Sequence, residues 1–278
     1  MTEAMTHNNK ICVITGAGSG IGRALARALG KKGATVVVSD INEQSAGETA
    51  QMVNNDGIGK AIASQLDVTQ ADAVRDLLRS TAQEYGQLDL VVNNAGIAVA
   101  SDARDLTLDH WRRVIDVNLM GVIYGADAAY KIMAEQGHGH IVNISSLSGL
   151  IPFPTNIPYG TTKHAVVGLS LGMRAEGEAL GVRVSAVCPG FIESNIYSAS
   201  EAINVPGEAL SENLPFKKVP ADVAAERILA GVAANKDIIV FPGYAKFIWW
   251  LFRISRRLVA GPGREMIRDF RKLRQAPD

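Results

Sequence analysis

Short runs rich in Val and Ile recur along this chain, separated by longer stretches with helical spacing. The runs are Ile11–Thr15, Ala34–Ser39, a weaker Ala61–Leu66, Leu88–Asn93, His140–Ser145, Val182–Cys188 and Asp237–Phe241. Apolar residues at consecutive positions put apolar surface on both faces of a strand, as the interior of a parallel sheet requires. Gly20–Lys32, Ala71–Tyr85 and Asp109–Gln136 are long enough to be the helices that carry the chain back between parallel strands. The alternation predicts an α/β fold: one doubly wound, seven-stranded parallel sheet. Right-handed crossovers leave few topologies open. No repeat or low-complexity linker divides the chain, so residues 1–243 are expected to form one domain, with 244–278 as a C-terminal extension.

Composition narrows the class. A chain of 278 residues, 47% hydrophobic and 20% charged, is globular. Cys12 and Cys188 sit in apolar runs 176 positions apart, without the spacing of zinc ligands. They read as buried, reduced thiols of a cytoplasmic protein, and no metal is expected. Met1–Lys10 is polar and is not a signal peptide, and no apolar run is long enough to span a bilayer. The net charge is zero but uneven: residues 244–278 carry nine Lys or Arg against three acids, so the tail is +6 and the rest −6. Gly190–Pro220 has little periodicity and holds Pro206 and Pro215, which suggests a lid over a functional site.

Thr15-Gly16-Ala17-Gly18-Ser19-Gly20-Ile21-Gly22 follows the first strand and opens a helix. Glycines allow a tight turn and a close backbone approach, and the helix start offers free N–H groups to phosphate. The strand–turn–helix context predicts a dinucleotide site. Asp40, 24 positions after Gly16, ends the second strand, where a carboxylate would hold an adenosine ribose and repel a 2′-phosphate. Neither Ser19 nor Ser39, Ile41 or Asn42 is basic, so the expected cofactor is NAD(H).

Ser146 follows the fifth strand, and Tyr159-Gly-Thr-Thr-Lys163 begins 13 positions later. On a helix, residues four apart are neighbours. An ammonium beside a phenol is expected to lower its pKa toward that of a general base.

Together these motifs resemble the short-chain dehydrogenase/reductase family. Thr15–Gly22, Asp67, Asn93-Asn94-Ala95-Gly96, Asn118, Ser146, Tyr159/Lys163 and Pro189-Gly190 fall in that family's order over residues 10–243. The resemblance implies a Rossmann-type fold and a role for each position. Tyr159 would exchange the proton, Lys163 would bind the nicotinamide ribose, and Ser146 would orient the substrate oxygen. Asn118 would hold a relay water. Asp67 would contact adenine, with Val68 beside it. Asn94, Ala95 and Gly96 would line the adenosine ribose. Pro189, Gly190 and Ile192 would pack by the nicotinamide amide. The family's threonine after Pro-Gly is absent, and Ser194 or Asn195 stands there instead.

The implied activity is hydride transfer between NAD(H) and a secondary alcohol or ketone, with cofactor pools favouring oxidation. Ile97–Ala100, Leu147, Leu150, Ile151, Phe153, Ile196 and Tyr197 are expected to border the pocket, which favours a hydrophobic substrate of steroid, terpenoid or lipid type. The rival is a catalytically inactive nucleotide-binding regulator or scaffold. A homodimer or homotetramer is expected, and no nucleic-acid partner. The tail Tyr244–Leu258 mixes aromatic and basic residues. It suits a membrane surface, a partner subunit or a roof over the pocket. Gly261-Pro262-Gly263 is expected to break its helix.

Overall fold

The computed structural model describes residues 8–194, 196, 200–206 and 216–274. Asn195, Tyr197 and Pro215 of the expected lid lie outside the described residues.

The first strand, β1 (Ile11–Thr15), is fully buried. Its side chains alternate between two cores: Cys12 and Ile14 join one cluster, Val13 the other. Helix α1 (Gly20–Lys31) leads to β2 (Thr35–Asp40), and α2 (Glu43–Asn55) to β3 (Lys60–Gln65). Then come α3 (Ala71–Tyr85), β4 (Leu90–Asn93) and a short strand, β5 (Val99–Ala100). The crossover expected as one helix over 109–136 is split. α4 (Leu108–Ile115) runs into a π-helical turn at Asp116–Met120, and α5 (Gly121–Gln136) continues from it. Strand β6 (Gly139–Ile144), α6 (Ile157–Gly177) and β7 (Val182–Pro189) follow. The short β8 (Glu201–Ala202), α7 (Ala221–Ala233) and β9 (Ile238–Phe241) complete the domain.

Seven strands form one sheet in the order β3-β2-β1-β4-β6-β7-β9, with every described pairing parallel. This is the predicted doubly wound architecture, and the order reverses between β1 and β4. One face packs on α1, α2 and α7 through Leu25, Leu29, Val53, Ile228 and Val232. The other packs on α3 and α5 through Val74, Leu78 and Met133. Strand β5 pairs with β8 away from the main sheet, which the sequence pattern did not reveal.

The tail departs from expectation. Helix α8 (Gly243–Ile254) ends at Ser255, and α9 (Arg256–Leu273) runs through Gly261–Gly263 without a break. Ser255 adopts extended backbone and its Oγ accepts from Arg257 N–H, so the break falls where a cap is available. Pro262 forfeits one helical hydrogen bond, but tertiary contacts hold the helix across it. Phe270 is buried, Arg271 Nε donates to Asp102 Oδ2 at 2.7 Å, and Arg274 makes a two-pronged bond to Asp105 at 2.7 and 2.6 Å.

Asp102 is 1% exposed and accepts from both Arg104 and Arg271. These bonds, that of Arg104 foremost, hold its carboxyl below the ordinary 3.8. A depressed carboxylate stabilises the fold above its ordinary pKa and loses that contribution as pH falls through lower values. The melting temperature is therefore expected to drop below pH ~4. Asp102→Asn should lower the melting temperature at neutral pH and flatten that acid drop; an unchanged acid profile would refute the role given to Asp102.

Candidate active site

The expected site residues cluster because most of them follow the carboxyl end of a parallel strand. All of them but Gly22 and Asn118 line one cleft of about 320 Å³. Gly16 follows β1 with φ +63°, and a Cβ there would lie 2.7 Å from Ala95 Cα. Only glycine lets the β1 turn and the β4 turn approach this closely. Ser19 occupies the N-cap of α1 but makes no side-chain bond to it, and no acid lies in the first turn. The N–H groups at the start of α1 are thus left without side-chain acceptors, beside Gly20 and Ile21 in the cleft wall. This turn fits a pyrophosphate. Gly22 is buried one turn further, against Asn94.

Asp40 ends β2 and accepts from Gly18 N–H at 2.9 Å and Asn42 N–H at 3.0 Å. Capping of α2 falls to Asn42, which accepts from Ser45 N–H. Asp40 therefore does not serve as the helix cap, and with Ile41 it lines the cleft. Arg23 is a neighbour that sequence reasoning missed. It donates to Gly18 O and to Thr49 Oγ1, and Glu48 lies 3.4 Å away. Its guanidinium is engaged by that hydroxyl, that carbonyl and that acid. The spacing of five from Gly18 was the available signal.

Asp67 follows β3 and accepts from Thr69 N–H at 2.9 Å and Thr69 Oγ1 at 2.8 Å. The backbone bond is the main cause of its lowered pKa. Val68 is buried beside it. Asn94 donates from Nδ2 to Thr15 O and Gly16 O, each at 2.9 Å, tying the end of β4 to the glycine turn. Ala95 N–H bonds Thr15 Oγ1 at 3.1 Å, and Gly96 faces Asn118 and Lys163. Asn118 sits in the π turn, fully buried. Its amide pairs with Ile97 on both sides: Oδ1 accepts from Ile97 N–H and Nδ2 donates to Ile97 O, both at 2.8 Å. The side chain is occupied by backbone, so a relay water would have to be held by other atoms of this turn.

Ser146 follows β6, and its Oγ accepts from Ser148 N–H at 3.1 Å. Tyr159 and Lys163 lie on α6, whose start is set by Pro158 in its first turn. Lys163 is 2% exposed, donates to Ile144 O at 2.8 Å, and has Nζ 5.4 Å from the Tyr159 ring centre. Burial pushes Lys163 down to about 8. Burial pushes Tyr159 up to about 12, against a downward pull from its hydrogen bond with Ser146. This corrects the expectation that Lys163 lowers Tyr159. Lys163 is enclosed with its ammonium turned toward the β6 carbonyl, and Tyr159, half-buried in the cleft wall, has lost part of the water that would stabilise a phenolate. Tyr159 is thus held as the neutral phenol. Cys188 lies close by, pushed up to about 12 by burial, so it stays a thiol.

Pro189, Gly190 and Ile192 border the cleft, and Ser194 rather than a threonine lies against Gly20. Of the expected pocket wall, Ile97 and Ile196 reach the cleft. Leu147, Leu150 and Ile151 do not; they are buried in a third core beneath α8, because Ile248, Trp249 and Phe252 cover them. Ala98, Val99 and Ala100 are also buried, with Val99–Ala100 taken up by β5. Phe153 does not line the cleft either; it joins an aromatic row packed next to Gly190. Phe153 meets Phe191 edge-on at 6.0 Å, and Phe216 stacks on Tyr244 at 4.1 Å and lies 6.4 Å from Phe191. Tyr244 Oη accepts from Phe191 N–H at 2.7 Å. A Cβ on Gly190 would fall against that same tyrosine. The sequence marked Phe153 alone, because the other three gather from a loop and from α8.

Residues 10–203 match the family model for short chain dehydrogenases. An uncharacterized oxidoreductase of Staphylococcus aureus is 37% identical over 191 residues, 69% of this chain and 81% of that protein. One from Staphylococcus epidermidis is 36% identical over 185 residues, 66% of this chain and 79% of that protein. A short chain dehydrogenase/reductase from Burkholderia phymatum, solved in complex with NAD, superposes with TM-score 0.84 at 27% identity, covering 91% of this chain and 96% of that one. A short-chain type dehydrogenase/reductase from Mycobacterium marinum gives TM-score 0.76 at 30% identity, covering 85% and 95%.

Asn118→Ala would strand the Ile97 N–H and carbonyl, at a cost of about 2–4 kcal/mol. Urea denaturation measures this, and a variant as stable as the parent would refute the structural role of Asn118.

Proposed function

The chain belongs to the short-chain dehydrogenase family, and from that premise we propose that it interconverts a hydrophobic secondary alcohol and its ketone using NAD(H). One observation carries the reading: the Ser146–Tyr159–Lys163 cluster and the Asp40–Gly18 bond lie in the walls of the same cleft.

The dinucleotide, when bound, gives or takes the hydride. The chain's own residues position the substrate oxygen and move its proton. In reduction, Ser146 Oγ holds the ketone oxygen and the Tyr159 phenol donates its proton as hydride reaches the carbon. The carbonyl becomes a hydroxyl, and Tyr159 is left as phenolate beside Lys163. With its pKa brought down to about 8, Lys163 exchanges protons near neutral pH more readily than an ordinary lysine and can restore the phenol. In oxidation the proton moves the other way. The neutral phenol of the free protein suits reduction, and oxidation needs it as the phenolate. Either direction is open to this site.

Asp40 supports NAD(H). Its carboxylate would face a 2′-phosphate as a like charge, and the nearby Arg23 is already paired with Glu48. The apolar side chains of Ile97, Val117, Ile144, Ile192 and Ile196 in the cleft wall support a hydrophobic substrate. Among the described residues lining the cleft, Lys163 is the one cation, which leaves no side chain to bind a carboxylate or phosphate on the substrate.

A panel of ketones and alcohols followed by NADH absorbance tests the reaction. Tyr159→Phe should lower turnover by about a hundredfold or more while NADH still binds; undiminished turnover would remove Tyr159 from proton transfer. Asp40→Ala should move the NADP-to-NAD preference toward NADP by about tenfold or more. An unchanged ratio would take the ribose contact away from Asp40.

A further inference from the structure

Helix α8 presents two apolar faces, and the fold uses one. Tyr244, Ile248, Trp249 and Phe252 turn inward onto the third core. Phe247, Trp250 and Ile254 turn outward at 58%, 56% and 59% exposure, and Leu258 at the start of α9 adds 54%. Spacings of three and four place Phe247, Trp250 and Ile254 along one side of α8, and Leu258 is exposed in the first turn of α9, just past the break at Ser255. Elsewhere among the described residues, exposed large apolar side chains are scattered along the chain. Phe247 and Trp250 stack on each other at 6.1 Å rather than on the body of the protein.

The charges along this stretch of chain have one sign. From Ile238 to Arg264 the chain contains Lys246, Arg253, Arg256, Arg257 and Arg264 and no Asp or Glu. All five are exposed. Arg253 lies over Trp249 at 5.4 Å and Arg256 over Phe252 at 6.0 Å, so both cations sit at the rim of the aromatic surface. The first turn of α8 touches Gly190 and Phe191 through Tyr244, so the helix that carries this face starts at the edge of the cleft. Among the described residues no helix is long and apolar enough to cross a membrane.

We propose that the outer face of α8 and the start of α9 form an interfacial surface for anionic phospholipid, with Phe247, Trp250, Ile254 and Leu258 entering the acyl boundary and Lys246, Arg253, Arg256 and Arg257 meeting the headgroups. Basic residues flanking an aromatic face complement a negatively charged bilayer, which supplies both the apolar layer and the anions. The arrangement brings the cleft close to the compartment into which a hydrophobic alcohol partitions.

The test uses the full chain with vesicles of phosphatidylcholine alone or mixed in equal parts with phosphatidylglycerol. Co-sedimentation should occur with the mixed vesicles, weaken at high salt, and blue-shift tryptophan fluorescence. The doubly substituted chain Phe247→Ser/Trp250→Glu and the charge reversal Lys246→Glu/Arg253→Glu should each lower bound protein by about tenfold or more, with an unchanged circular dichroism spectrum and NADH affinity. No binding to mixed vesicles, or equal binding by parent and variants, would overturn the proposal. So would a parent dimer in light scattering that both variants dissolve while vesicle binding is absent, because a second copy would then cover the face. Binding and not turnover is measured, so the outcome is independent of the hydride assay.

Discussion

Every strand of the main sheet runs in one direction, and the site depends on that. Parallel strands put all their carboxyl ends on one edge, and each must be followed by a turn before its crossover helix. Gly16, Asp40, Asp67, Asn94, Ser146 and Pro189 stand at the ends of six different strands or just beyond them, spread over more than half the chain. The sheet order then sets their neighbours. Because β4 pairs with β1 across the reversal point, Asn94 and Ala95 can bond Thr15, and the glycine turn is held by the strand beside it. The open N–H groups at the start of α1 sit at this seam, where a parallel sheet leaves a crevice.

Burial does the remaining work. Tyr159 and Lys163 are neighbours on one helix, but their chemistry comes from what surrounds them. Packing shifts the phenol up to about 12 and the amine down to about 8, so each resists its own charge. Ser146 answers the phenol directly and Ile144 O answers the amine. Tyr244 links this centre to the tail. By receiving the Phe191 N–H and stacking on Phe216, it packs the start of α8 against the turn that follows β7.

Local patterns made much of this legible from residues alone. Runs of β-branched residues marked six strands of the main sheet and the alternation of elements supplied the weaker third, and the glycine turn was readable because it lies between a strand and a helix. Three things were not. The pairing of Asn118 with Ile97 spans 21 residues and depends on a π turn that no simple periodicity announces. The aromatic row gathers residues from positions 153, 191, 216 and 244, so only the folded chain shows it. The break at Ser255 was misplaced at Gly261–Gly263 because helix formers and breakers were weighed locally, whereas Phe270, Arg271 and Arg274 anchor α9 from its far end. The direction of the Tyr159 shift was misjudged for a related reason: the spacing of the lysine is local, while desolvation comes from the whole packed surround.

Hydride transfer at the cleft that joins Asp40, Ser146, Tyr159 and Lys163 is the centre of this account. Isotope tracing tests it most directly. Incubation with NADH carrying deuterium at both positions of nicotinamide C4, together with hydrophobic ketones, should yield an alcohol with one deuterium on its carbinol carbon, read by mass spectrometry. A product alcohol with only solvent hydrogen at that carbon would contradict the account.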